Sequence, residues 1–197
     1  GSFKDRLNSV VASTSARFGK SRLVASSTGN HGVSLAAYGA RLGSSTAVLL
    51  DSGASELTLN EIRYFGATAF VAVSSIDTLG LMAKLWRDHD WLPSIRNFPR
   101  PPERRVANPF GIEGYKTIAY EIVEDLGGTA PESVFVPVGG GDGISGIWRG
   151  FVDLYDTGQV SDLPKLYACQ ATAASSIVAA YEKEAREVQP IRTGPSI

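Results

Sequence analysis

The sequence predicts an α/β protein built on parallel sheets. Two observations lead there. Short apolar runs alternate with helical stretches of about ten residues or more. Glycine, at 21 of 197 residues, is about one and a half times as frequent as usual. Two unusual loops follow apolar runs, at the carboxyl ends of strands, where parallel sheets bind ligands.

Each element can be justified in order. Residues 22–26 (Arg-Leu-Val-Ala-Ser) form a short strand that enters the loop Ser27-Thr28-Gly29-Asn30. A helix follows to about Leu42, and Gly43 ends it. Residues 46–50 are a continuous apolar run, as a buried strand requires. Ser55 and Glu56 open a helix that runs to Phe65 and stops at Gly66. Residues 68–73 are the next strand and residues 79–86 the next helix. Residues 94–105 hold three prolines and read as an irregular crossing. A helix over 116–126 places Ile118, Ile122, Val123 and Leu126 on one face before Gly127-Gly128. A strand over 133–138, a helix over 147–155, a buried strand over 166–169 ending on Cys169 and a helix over 175–188 complete the series.

Composition narrows the function. Lys plus Arg number 19 against 20 for Asp plus Glu, a net charge of -1. This balance is not that of a polyanion binder, so no nucleic-acid partner is expected. The longest uncharged stretches, 23–40 and 166–181, are rich in Ser, Ala, Thr and Gly, so no membrane span is expected. No basic-then-apolar leader opens the chain, and a single cysteine excludes an internal disulfide and a thiolate metal cluster. The cytoplasm is the expected location, and no metal site is expected. Asp88-His89-Asp90 are adjacent residues on a helix and do not face one point. The three tryptophans are expected in the core or at interfaces, and Cys169 as a small core residue. Arg96, Arg100, Arg104 and Arg105 form a basic cluster in the crossing, read as solvated or as a phosphate or subunit contact.

Three segments could carry chemistry. The loop Gly139-Gly140-Gly141-Asp142-Gly143-Ile144-Ser145-Gly146 joins a strand to a helix. Converging backbone N–H groups and the helix dipole suit a phosphate there, and a tight turn is the plainer alternative. Asp142 opposes an anion unless it points away. Gly141, Gly143 and Gly146 match a dinucleotide fingerprint, but the acid that pattern needs is replaced by Gln170. The second loop is Ser26-Ser27-Thr28-Gly29-Asn30-His31-Gly32. Its hydroxyls and helix-terminal N–H groups suit a carboxylate, while helix capping by Ser27 or Thr28 is the plainer reading. The third is Gly1-Ser2-Phe3-Lys4-Asp5-Arg6, where a buried lysine could act as a Schiff-base nucleophile and an exposed one would not.

Taken in chain order, from the Lys4 segment through the Ser27–Gly32 loop to the glycine-rich loop, the three segments resemble the fold-type-II pyridoxal-phosphate enzymes of the tryptophan synthase β superfamily. A fourth segment, Asn108-Pro-Phe-Gly-Ile-Glu-Gly-Tyr-Lys-Thr-Ile-Ala-Tyr-Glu121, is similar to the threonine synthase branch. The resemblance implies a small lobe over 22–107 and a larger one taking in 1–21 and 108–197, with the cofactor between them. It implies that Lys4 forms the internal aldimine and shuttles protons at the substrate. Phe3 and Asp5 would shape its turn. Asn30 would bond the cofactor's phenolic oxygen, and Gly139, Gly140, Gly141, Asp142 and Gly143 would cradle its phosphate. Ser27, Thr28, Gly29 and His31 would hold the α-carboxylate of a small amino-acid substrate.

The implied reaction is that of threonine synthase: O-phosphohomoserine and water give threonine and phosphate. His31 departs from that branch toward the threonine/serine dehydratases, which run a β-elimination, and Asp142 departs from the expected Gly or Asn-Gly. The family is about twice as long, its lysine normally follows several dozen residues, and a later strand brings Ser, Thr or Cys to the pyridine nitrogen. The chain therefore reads as the middle of such an enzyme, lacking both ends. A non-catalytic remnant of the fold and a nucleotide-binding domain are the alternatives, and a homodimer is left open.

Overall fold

The computed structural model describes residues 1–94 and 109–189. The crossing segment, apart from Ser94, and its four arginines lie outside the described residues. The chain divides into two compact units, Gly1–Gly114 and Tyr115–Ile197.

The first unit begins with a helix, α1 (Lys4–Arg17), which the sequence reading did not assign. Its signal is present: Leu7, Val11, Ala12 and Ser15 recur at helical spacing and are buried. Then follow β1 (Arg22–Ser26), α2 (Asn30–Arg41), β2 (Ser45–Asp51), α3 (Glu56–Tyr64), β3 (Thr68–Ala72), α4 (Ser75–His89) and β4 (Leu92–Pro93). The strands form one parallel sheet in the order β3-β2-β1-β4. Central strand β2 is buried on both faces, as its unbroken apolar run requires. Val48 and Leu50 meet Ala36, Ile62 and Ala67 on one face. Ala47 and Leu49 meet Val24 and Met82 on the other, flanked by Trp86 and Trp91.

Two boundaries moved for a local reason. Helix α4 starts at Ser75 rather than 79 because Ser74 caps it: the Ser74 hydroxyl accepts from Asp77 N at 3.3 Å and donates to the Asp77 carboxylate at 2.7 Å. It ends where Asp90 turns left-handed, at φ 58°. Strand β4 is too short to leave a periodic signal.

A 3₁₀ turn (Gly111–Tyr115) closes the first unit and ends on the first residue of the second, which holds α5 (Lys116–Asp125), β5 (Ser133–Pro137), α6 (Asp142–Asp156), β6 (Lys165–Cys169), a 3₁₀ turn (Thr172–Ala174) and α7 (Ser176–Glu182). Strands β5 and β6 pair in parallel. One face of this sheet packs on α5 and α6 through Ala119, Val123, Val136, Ile147, Phe151 and Leu154. Gly150 permits the close helix contact, since a Cβ there would lie 2.5 Å from the Lys116 carbonyl oxygen. Lys116 Nζ pairs with the Asp153 carboxylate at 2.8 Å, and the Tyr120 hydroxyl donates to the same carboxylate at 2.8 Å. Those bonds hold the Asp153 carboxyl below its usual range.

Three expectations are corrected here. Helix α6 begins at Asp142 rather than 147, so Gly143 and Gly146 are helical. An acid suits the first turn of a helix, and Ile144 and Ile147 join the core, which together outweigh the weak propensity of glycine. Helix α7 spans only seven residues, not 175–188, and the backbone turns left-handed at Glu184. Cys169 is exposed rather than in the core. Among the described residues α5 and α6 cover one face of β5 and β6, and Cys169 alternates onto the other, with Phe135 and Tyr167, whose rings stack at 4.7 Å. Trp148 also keeps 40% of its surface exposed. No helix among the described residues is long and apolar enough to cross a membrane.

Candidate functional site

Candidate residues fall in both units. In the first, Lys4 is the opening residue of α1 and is half-buried. The turn before it closes on itself. Ser2 N donates to the Asp5 carboxylate at 2.8 Å, Lys4 N donates to the Ser2 hydroxyl at 3.2 Å, and Asp5 N donates to the Ser2 carbonyl at 3.0 Å. These bonds close the turn that leads into α1, whose N-cap, Phe3, has no side-chain cap. Lys4 Nζ lies 4.5 Å from the Phe3 ring centroid. The turn fixes the backbone of Lys4 while its side chain extends from the helix start.

The loop between β1 and α2 is tied at its β1 end. Ser27 N donates to the Leu49 carbonyl at 3.0 Å, and the Ser26 hydroxyl bonds the Thr78 hydroxyl at 2.6 Å. The expected capping by Ser27 or Thr28 does not occur. Gly29 is the N-cap of α2 and no side chain caps it. The Ser27 hydroxyl instead receives Gly29 N at 3.3 Å. Among the described residues, the N–H groups of Thr28, Asn30 and His31 therefore meet no acceptor. Open amides at the start of a helix suit an anion. Gly32 lets α2 come this close to the sheet, because a Cβ there would lie 2.6 Å from Val48 Cγ1.

His31 Nε2 lies 2.7 Å from the Ser94 hydroxyl, and the His31 carbonyl accepts from Asn8 Nδ2 at 3.1 Å. Burial first, and the Lys4 charge second, lower its pKa from 6.5 to about 4. The imidazole is neutral near pH 7. The unfolded chain takes up this proton near pH 6.5 and the folded chain near pH 4. Between those values the unfolded state binds more protons, so stability falls as the pH falls through that window. Denaturant midpoints are expected to fall more steeply from pH 7 to 4 in the unaltered chain than in His31→Gln. Parallel slopes would refute this assignment.

In the second unit, β5 runs into Gly139-Gly140-Gly141. Val138 N donates to the Cys169 carbonyl at 2.8 Å, which fixes the loop's entry. Gly141 has φ +93°, a conformation costly for any residue with a Cβ. Among the described residues, the amides of Gly139, Gly140, Gly141 and Gly143 meet no acceptor. No atom lies within 4 Å of where a Cβ would stand at any of the four glycines. The loop is an open cradle of donors at the start of α6. Asp142 stands in that first turn, and its charge is the second cause, after burial, that raises the pKa of buried Tyr115. Gln170, where a dinucleotide site wants an acid, uses its side-chain oxygen to accept from Ile177 N and Val178 N at 2.8 and 3.1 Å.

Sequence reasoning missed Asn8 and Ser94. Asn8 could have been found once α1 was assigned, since it sits one turn after Lys4. Ser94 left no local signal, because its bond to His31 joins residues far apart in the chain.

A parallel α/β fold, a lysine at a helix start and two uncapped strand-to-helix loops define a class. The chain belongs to the pyridoxal-phosphate-dependent enzymes: the family model "Pyridoxal-phosphate dependent enzyme" matches residues 1–197. It is 35% identical to threonine synthase of Methanocaldococcus jannaschii over 198 residues, which is 100% of this chain and 47% of that protein. It is 34% identical to threonine synthase of Mycobacterium tuberculosis (strain H37Rv) over 180 residues, 90% of this chain and 47% of that protein. The chain thus spans about half the length of the curated relatives it matches. The crystal structure of threonine deaminase from T.th. superposes with a TM-score of 0.77 at 21% identity, covering 100% of this chain and 58% of that one. That of holo diaminopropionate ammonia lyase from Escherichia coli gives 0.76 at 20% identity, covering 98% and 53%. These likenesses show the fold, that of fold-type-II pyridoxal-phosphate enzymes.

The residues present fit the cofactor. The open amides of Gly139, Gly140, Gly141 and Gly143 match a phosphate, and the half-buried amine of Lys4 matches an aldehyde. The uncapped start of α2 offers further donors for a carboxylate. Among these residues, Asp142 is the group of unfavourable sign.

Proposed function

We propose that this chain carries the cofactor- and substrate-binding core of a threonine-synthase-like enzyme, which converts O-phosphohomoserine and water to threonine and phosphate. The observation that carries the reading is the pair of uncapped helix starts accompanying Lys4, in a chain whose matched relatives are threonine synthases. When bound, pyridoxal phosphate supplies the electron sink for carbanion chemistry at the substrate. Lys4 Nζ attaches the cofactor and moves protons at the substrate α-carbon and beyond. The Asn30 amide holds the phenolic oxygen. The amides of Gly139, Gly140, Gly141, Asp142 and Gly143 hold the phosphate. Ser27, Thr28, Gly29 and the neutral His31 orient the α-carboxylate. The small lobe over 22–107, the larger lobe over 1–21 and 108–197, the cytoplasmic location and a homodimer belong to the same proposal.

A second reading, a hydroxy-amino-acid dehydratase, is favoured by His31. One experiment separates the readings. The protein is mixed with pyridoxal phosphate, reduced with borohydride and mapped by mass spectrometry, then assayed with O-phosphohomoserine and with threonine. Selective labelling of Lys4 with phosphate release and threonine formation is the expected result. A keto acid formed from threonine, without phosphate release from O-phosphohomoserine, replaces it with the dehydratase. Labelling of Lys4 with neither product indicates a non-catalytic binding protein. Scattered labelling or none overturns the site.

A further inference from the structure

Asn8 is fully buried on α1, one helical turn after Lys4 and on the same face. Its Nδ2 donates at 3.1 Å to the backbone carbonyl of His31, in the first turn of α2. That carbonyl can only accept, so the donor end of the amide must face it. The other end, Oδ1, is buried with no hydrogen-bond partner among the described residues. An unmet buried acceptor is costly, and a leucine of similar size would avoid that cost. The placement is poor for stability, and its one product is a tether. The tether joins the turn after Lys4 to the turn that carries Asn30 and His31.

α1 packs along α2, and apolar contacts alone resist sliding along a helix axis only weakly. The hydrogen bond fixes the relative position of the two helices at one point. Next to it, the His31 ring is held from the opposite side of the chain by Ser94, itself buried and bonded through its backbone N–H to the Val24 carbonyl at 2.9 Å.

We infer that Asn8 is a positioning residue: by bonding the His31 carbonyl it sets where Lys4 stands relative to the first turn of α2. This inference rests on the proposed role of Lys4 toward the cofactor, and it has a consequence that does not depend on that role. If the tether sets where Lys4 stands, the influence of the Lys4 charge on His31 weakens when Asn8 is replaced.

The test uses the 197-residue chain with Asn8→Leu, and Asn8→Ala in case leucine does not pack. Two readouts are taken. The His31 pKa is measured by NMR with and without Lys4→Met, in each background. Labelling of Lys4 by pyridoxal phosphate and borohydride is measured alongside thermal midpoints. In the unaltered chain, Lys4→Met is expected to raise the His31 pKa. In Asn8→Leu that increase should shrink, and Lys4 labelling should fall about tenfold or more, with the thermal midpoint unchanged or higher. A Lys4-dependent shift of full size in the Asn8 variants overturns the inference, whatever the labelling shows. So does a labelling loss that only parallels a loss of folded protein. Absence of Lys4 labelling in the unaltered chain instead defeats the proposed function, and the His31 titration still decides the role of Asn8.

Discussion

Replacing Lys4 with alanine is expected to abolish selective attachment of pyridoxal phosphate while leaving the protein folded. The two halves of this expectation have separate causes. Attachment needs an amine held near the cofactor, and Lys4 presents one at the start of α1. The turn itself is closed by backbone and by other side chains. The turn that presents Lys4 is closed by the Ser2–Asp5 pair and by the Lys4 backbone N–H, all of which alanine retains. Alanine is also the best helix former at such a position. Borohydride reduction and peptide mapping should therefore show the label at residue 4 in the unaltered chain and none in the variant, with matching circular dichroism and denaturant midpoints. Undiminished label on other lysines of both proteins would show that the reaction is only surface chemistry.

Gly114→Ala is expected to cost about 3 kcal/mol of stability, at the upper end for overpacking. A Cβ at Gly114 would lie 1.8 Å from the Arg6 carbonyl oxygen and 2.5 Å from its carbon. Both are backbone atoms, so no rotamer change can relieve the clash. The 3₁₀ segment must withdraw from α1, or α1 must shift, and Lys4 rides on α1. The same substitution at Gly80, in α4, meets no atom within 4 Å and should stabilise by up to about 1 kcal/mol through helix propensity. Urea denaturation of the two variants beside the unaltered chain measures the contrast. A loss at Gly114 no larger than about 1 kcal/mol would mean that the two segments are less tightly apposed.

The alternation of strands and helices was legible because it rests on local patterns. The run at 46–50 is apolar throughout because β2 has helices on both faces, and Gly43 and Gly66 stop helices at φ +63° and +77°. Boundaries failed where side chains from elsewhere intervene. Residues 142–146 look like loop because of their glycines, and are helical because Ile144 and Ile147 find a core. Cys169 looked buried because the sequence of β6 is apolar, but a two-stranded sheet with helices on one face leaves every second residue in solvent. The helix carrying Lys4 was overlooked although its apolar spacing was available.

The site divides in the same way. The two loops could be named from residue types, because glycine, hydroxyl and amide residues between a strand and a helix are chemically conspicuous, while Lys4 and Asn30 were singled out by the resemblance of their segments to a known family. Whether their donors are open to a ligand was not decidable there. Capping by Ser27 or Thr28 was the plainer reading from sequence, and the structure puts the Ser27 hydroxyl on Gly29 N and leaves the start of α2 uncapped. The neutral state of His31 was equally hidden, since it follows from burial and from the nearby charge of Lys4. The tether from Asn8 to the His31 carbonyl joins residues 23 positions apart. By itself, then, the sequence pointed to candidate residues and to the elements that carry them, α1 excepted, because both depend on near neighbours along the chain. The tertiary structure alone decided which donors are left unused, which groups keep their charge and what anchors the lysine. Those depend on atoms brought together only when distant segments pack.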